Sequence, residues 1–185
     1  MIERRLSDYL RKMRGTTRGS PPRVSNEEIF WSWVGAFLGL ASLSGLGSLF
    51  FKDNDLTLMI GSFGASAILI YGAVRSPLAQ PRNLLGGHII SATLGVVCWK
   101  CFHNTPWLAQ SLAVACSLAL MHATRTLHPP GGATALIAVI GSPDIHRLGF
   151  WYVLLPCTAG PLVMLVVALI VNNIPSSRRY PEIWI

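Results

Sequence analysis

Charge is scarce in this chain and absent from its longest stretches. Lysine, arginine, aspartate and glutamate make up 12% of 185 residues, and none falls within 29–51, 56–74, 83–99, 105–124 or 148–174. Ordinary soluble domains carry about 25%. Five uncharged runs are too many for the core of one soluble domain of this length. As a helix, 29–51 would be roughly 35 Å long, enough to cross a bilayer core. With no carboxylate in these runs, acid–base chemistry and metal binding there lose their commonest acidic partner. Cysteine is limited to Cys98, Cys101, Cys116 and Cys157. Cys98 and Cys101 have redox or metal spacing but no second pair, and small apolar packing explains them better.

The charge that is present gathers at one end. Arg4, Arg5, Arg11, Lys12, Arg14, Arg18 and Arg23 face only Glu3 and Asp8, and supply much of the net charge of +7. A nucleic-acid arm is one reading. Beside a transmembrane helix, a cytosolic anchor near anionic lipid is the better one, and no nucleic-acid partner is expected. No cleavable leader is expected, since no short apolar run with a small-residue cleavage site follows the basic stretch.

The pattern predicts an all-α membrane protein. A basic arm covers 1–25, with 15–22 as a hinge. A transmembrane domain covers 26–175, and a polar tail 176–185. The segments are 29–51, 56–74, 83–102, 106–124, about 130–141 and 149–173, the second and fifth short or broken. Gly64-Ala65-Ser66-Ala67-Ile68-Leu69 matches Gly132-Ala133-Thr134-Ala135-Leu136-Ile137 in residue type throughout. Ser-Pro follows each, at Ser76-Pro77 and Ser142-Pro143. This suggests two repeats, 29–102 and 106–173, inverted because each has an odd number of crossings. With the arm inside, Arg75, Arg82, Arg125, Arg178 and Arg179 also fall inside, in line with the positive-inside bias. Lys52 to Asp55, Lys100 and Asp144 to Arg147 then fall outside.

The richest stretch for function is Arg125-Thr126-Leu127-His128-Pro129-Pro130-Gly131-Gly132-Ala133-Thr134. Its prolines and glycines break any continuous helix, and broken backbone inside a membrane is tolerated only within protein or beside water. Pro130 suits a helix start. The first N–H groups of such a helix form a ready anion site. Gly131, Gly132 and Ala133 would line it, with the Thr134 hydroxyl and positive charge from Arg125 and His128. The repeat offers a second start at Gly61-Ser62-Phe63-Gly64-Ala65-Ser66, with Gly64, Ala65 and Ser66 lining it. The competing reading gives these glycines to helix packing. Gly132 and Gly64 are expected to tolerate little bulk. His88 inside segment 3 faces a cavity or a partner, or is a satisfied packing histidine, and His122 has the same two readings. His122 with His128 raises a metal, which a missing carboxylate or cysteine cluster argues against. His103 and His146 read as loop residues. Gly35 and Gly39 read as packing. Arg75, Arg82 and Asn83 lie in a loop that either lines an inner vestibule or reverses the chain.

The run His128-Pro129-Pro130-Gly131-Gly132-Ala133-Thr134-Ala135-Leu136 closely resembles the HPP family of integral membrane proteins. Gly61 to Ala67, Ser76 to Asn83 with Gly87-His88, and Arg179-Tyr180-Pro181 resemble it too. Together they cover roughly 29–182. The resemblance implies four transmembrane helices, fewer than six crossings. It also implies nitrite transport, the activity assigned to plastid and cyanobacterial relatives.

The expected function is therefore a transporter or channel for a small inorganic anion, nitrite foremost, and not an enzyme. It would need no cofactor, act in a lipid bilayer, and assemble as a homo-oligomer. A bacterial inner (plasma) membrane with a cytosolic N-terminus is the expected location. The alternatives are a non-transporting structural or sensor protein, and an intramembrane enzyme using His88, His122 or His128.

Overall fold

The computed structural model describes residues 9–13, 22–47 and 61–184. Most of the basic arm, most of its hinge and the loop from Lys52 to Asp55 lie outside the described residues. Regular structure in the described residues is helical throughout. Beyond a short turn of helix at 9–13, the elements are α1 (Asn26–Gly47), α2 (Gly61–Gly72), α3 (Pro81–Phe102), α4 (Pro106–Thr124), α5 (Pro130–Ile140), α6 (Pro143–Leu148), α7 (Trp151–Leu154) and α8 (Ala159–Val171).

Local chemistry sets these boundaries. Four helices, α3 to α6, open on proline, whose fixed φ and missing N–H suit a first helical position. At the start of α1 the Ser25 hydroxyl accepts the Glu28 N–H at 3.1 Å, and Glu27 and Glu28 face the positive end of the dipole. α4 ends with Arg125 in the left-handed region at φ 57°. There the Arg125 N–H donates to His122 O and the Thr126 N–H to Met121 O, at 3.2 and 2.9 Å. That pairing is a Schellman cap. Segment 6 is broken more sharply than its sequence suggested. α7 gives way around Pro156 to irregular turns before α8. His146 lies in helix α6, not in a loop.

Among the described residues, four stretches are long and apolar enough to cross a membrane: Asn26–Leu46, Pro81–Phe102, Pro106–Thr124 and Trp151–Val171. The apolar helices Gly61–Gly72 and Pro130–Ile140 are shorter. Along the chain the order is long, short, long, then long, short, long.

The surface is apolar where a soluble protein would be polar. Phe30, Trp33 and Phe37 of α1, Leu118 and Leu120 of α4, and Val166 and Ile170 of α8 are exposed. Ser62, Ser66, His88, Ser91, Ser117, Thr134 and Asn172 are buried instead. Contact between helices runs along small residues. α3 presents Gly87, Ser91 and Gly95, one turn apart, to Gly131, Ala135 and Ala138 of α5. A Cβ on Gly95 would stand 2.6 Å from Ala135 O. Such stripes let backbones approach closely where no hydrophobic force drives helices together. α4 buries Ala109, Ala113, Ser117 and Met121 at the same spacing. Gly35 and Gly39 of α1 form a groove for the Tyr71 ring, whose hydroxyl donates to Met164 O of α8 at 3.0 Å.

One end of the bundle is tied by the tail. Arg178 grips Glu28 with Nε and Nη2 at 2.9 and 2.8 Å, and also donates to Glu28 O, Ser32 Oγ and Asn172 Oδ1. Asn172 in turn donates to Ile70 O at 2.8 Å. Tyr180, whose phenol is raised by burial, donates to Ala79 O at 2.8 Å. The start of α1, the 73–80 turn and the tail therefore share one end. Arg82 bonds Thr124 O at 2.9 Å, which adds the α4–α5 loop to that end. Trp99, His103 and His146 meet at the other, with the His146 ring stacked on Trp99 at 3.7 Å.

Candidate functional site

Between the two ends, α2 meets the first turn of α5. The Ser62 hydroxyl of α2 donates to Pro130 O at the first residue of α5, at 3.0 Å. It also lies 2.7 Å from Thr134 Oγ1. Thr134 Oγ1 is 2.8 Å from His88 Nδ1. Ser66 Oγ sits between two imidazoles, 2.9 Å from His88 Nε2 and 2.9 Å from His128 Nε2. His128 Nδ1 donates to Leu78 O at 2.9 Å. The two rings lie 5.1 Å apart between centroids. His88, His128, Ser66 and Thr134 are all 0% exposed.

The neighbourhood is otherwise apolar. Phe63 packs on His88 with 5.5 Å between ring centroids. Tyr152 of α7 donates to Thr134 O at 2.9 Å, and Gly87 lets α3 pass against the His128 Cβ. An ionisable side chain held in such an interior is costly, which makes the histidine pair a candidate functional site. Every buried polar side-chain atom among the described residues has a partner. The Gly131 N–H donates to His128 O and the Gly132 N–H to Pro129 O, at 2.9 and 3.0 Å. Both N–H groups are engaged within their own turn of the chain.

A model of the transmembrane region of HPP proteins matches residues 21–181. This chain belongs to the HPP family. One relative, a Dictyostelium discoideum protein described only as a transmembrane protein, is 45% identical over 95% of this chain and 57% of its own length. A second from the same organism, described in the same words, is 42% identical over 99% of this chain and 65% of its own length. The chain thus spans less than two thirds of either relative. No solved structure matches it. Both relatives are eukaryotic, so the expected bacterial membrane gains nothing from them.

Of the candidate residues, Ser66, His88, His128 and Thr134 come together in this HPP core, with Gly131 pressed against the Gly87 carbonyl. Others stay apart. Ala65 is exposed, and a Cβ on Gly64 would meet nothing within 4 Å. Gly132 would meet only Val114 Cγ1, at 3.7 Å, and Ala133 is half-buried. The expected crowding at Gly132 and Gly64 is thus found at Gly131 and Gly87. One residue of register on a helix turns a side chain by about 100°, which decides the matter. Arg125 is exposed and serves as the left-handed cap of α4. His122 is exposed on α4, outside the network. Arg82 and Asn83 hold the loop through Thr124 O and Leu127 O. Arg75 lines a cavity of about 440 Å³ with Glu28, Ser76 and Arg178, and donates to Ser177 O at 3.0 Å.

Sequence reasoning placed Ser62 in the second helix start without naming it as a site residue, and missed the Leu78 carbonyl and Tyr152. Ser62 lies one turn before Ser66 and so shares its face, a signal open to inspection. The other two are contacts that only the folded chain creates.

Proposed function

We propose that this HPP protein carries a small inorganic anion across a membrane, with nitrite foremost. The observation that carries the reading is the meeting of α2 with the start of the short helix α5, through Ser62 and Pro130, in a hydroxyl–imidazole core inside an apolar bundle. Discontinuous helices meeting at a buried polar site are a recurrent transporter arrangement. The anion-bound state differs from this one by separation of α2 from the start of α5. That opens the Ser62, Ser66 and Thr134 hydroxyls and the two imidazoles to the ligand, beside the positive end of the α5 dipole. The cavity beside Arg75 is the inner vestibule, and the basic arm and tail lie in the cytosol.

The architecture behind it is two inverted three-segment repeats. α3, from the first repeat, packs on α4 and α5 of the second, while α8 of the second packs on α1 of the first. Ser66 and Thr134, matched in the repeats, bond opposite nitrogens of His88. The assembly is a homo-oligomer in the bilayer. No catalytic step is assigned.

The test is flux in liposomes holding the purified chain, using nitrite, nitrate and chloride. Protein-free vesicles are subtracted, because nitrous acid crosses lipid unaided. Nitrite flux well above that background is expected. No flux for any anion would remove the reading in favour of a non-transporting membrane protein.

A further inference from the structure

Six contacts of 2.7–3.0 Å form one unbranched chain that begins and ends on a backbone carbonyl. It runs from Leu78 O through His128, Ser66, His88, Thr134 and Ser62 to Pro130 O. Each contact is a hydrogen bond only if a proton lies in it. Carbonyl oxygens bring none. Three hydroxyls and two neutral imidazoles bring one each, which makes five protons for six contacts. A neutral chain leaves two lone pairs facing each other in one contact. One added proton fills every contact, and a second would find no place.

The proton assignments follow from the two ends. Ser62 must donate to Pro130 O, so Thr134 donates to Ser62, and His88 Nδ1 donates to Thr134. His128 Nδ1 must donate to Leu78 O. Both Nε2 atoms then face the single Ser66 hydroxyl, which donates to one ring and accepts from the other. The accepting contact requires a ring carrying two protons. Which ring that is depends only on which way the Ser66 O–H points. To exchange them, the His88 Nε2–H bond breaks as a new Ser66 O–H bond forms. The former Ser66 proton passes to His128 Nε2. Charge moves from ring to ring and no bond is lost overall.

We infer that this chain of side chains is a binding site for a single proton, shared by His88 and His128 through the Ser66 hydroxyl. A second contact of Ser66, to Ser62 O at 3.4 Å, is too long to compete. Among the described residues, the groups around the site leave the count unchanged. Phe63 and Tyr152 face it from α2 and α7, and Tyr152 donates outside the chain to Thr134 O. Cys157 lies beside Tyr152 in the same core. Arg82 is engaged with Thr124 O, and Arg125 is exposed. No Asp, Glu, Lys or Arg enters any of the six contacts. The inference stands whether or not an anion is carried.

The test is ring ¹⁵N chemical shifts of histidine-labelled full chain in lipid nanodiscs, from about pH 4 to about pH 8.5. A His103→Gln, His122→Gln, His146→Gln background leaves only the two rings in question. One proton should be taken up, spread over both rings, with both sets of shifts moving at one midpoint. Ser62→Ala touches neither ring but removes two contacts and one proton. It leaves four protons for four contacts, complete without the extra one. Proton binding should weaken about tenfold, lowering the midpoint by about one pH unit. Thr134→Val should do the same. Uptake of two protons at separate midpoints would overturn the inference, as would no uptake over the range. So would an unchanged midpoint in folded Ser62→Ala or Thr134→Val. The parent count decides the matter by itself if neither variant folds.

Discussion

Adding one methyl group at adjacent positions separates packing from propensity at the start of α5. A Cβ on Gly131 would stand 2.7 Å from Ser91 Oγ and 2.9 Å from Gly87 O, where ordinary contacts begin near 3.4 Å. Gly87 is backbone, so α3 and α5 must part by several tenths of an ångström. Such overpacking costs about 1–3 kcal/mol. A Cβ on Gly132 would meet only Val114 Cγ1, at 3.7 Å. Both substitutions gain the same helix propensity, about 1 kcal/mol at most. That gain cancels in the comparison. Gly131→Ala should thus be less stable than Gly132→Ala by about 1–3 kcal/mol. For a chain of this size the apparent melting midpoints should differ by about 2–12 °C. Thermal unfolding of both variants in the same nanodiscs, at one scan rate, measures it. Parting α3 from α5 also lengthens the His88–Thr134 contact, so nitrite flux should fall in the first variant and persist in the second. Equal midpoints would refute the claim that Gly131, and not Gly132, sits at the close approach.

The remaining predictions address the ends and the core. Arg178→Lys should destabilise by about 2 kcal/mol, because an ammonium cannot reproduce the fork that holds Glu28, Ser32 and Asn172 together; denaturation in nanodiscs reports it. Arg125→Gly should raise the melting midpoint slightly, since glycine adopts the left-handed cap without the penalty of about 1 kcal/mol, while removing the charge; unchanged flux would show that this arginine does not attract anions. Single cysteines at Arg75 and Ser177 should label from one side of the membrane and one at Asn104 from the other; labelling of the first two from opposite sides would break the six-crossing topology. Nitrite flux, corrected for protein-free vesicles, should rise as external pH falls from about 8 to about 6, and Ser66→Ala should flatten that profile by cutting the link between the rings.

Much of this architecture was legible in the residues alone. Uncharged runs mark the helices because hydrocarbon excludes charge, and α4 falls on the predicted 106–124. Prolines mark the helix starts because they lack an N–H that those positions do not use. The His-Pro-Pro-Gly-Gly run marks both the break and the family, and the Ser66–Thr134 echo marks the paired short helices. These signals are local: each depends on a residue's own chemistry or on spacing along one helix. Tertiary structure decided the rest, because its causes lie in residues distant in the chain. Only the fold sets Ser66 between His88 and His128, and ends that chain on Leu78 O and Pro130 O, so that protons and contacts fail to balance. Only the fold turns Gly131 toward α3 and Gly132 away, since helix phase relative to a neighbour is written in neither segment. Arg178 looks in sequence like one more cytosolic charge, yet it meets Glu28, 150 residues earlier, in a buried fork. Charge and hydropathy are properties of a residue and place it inside or outside the bilayer; partnership is a property of distance in space, which folding alone creates.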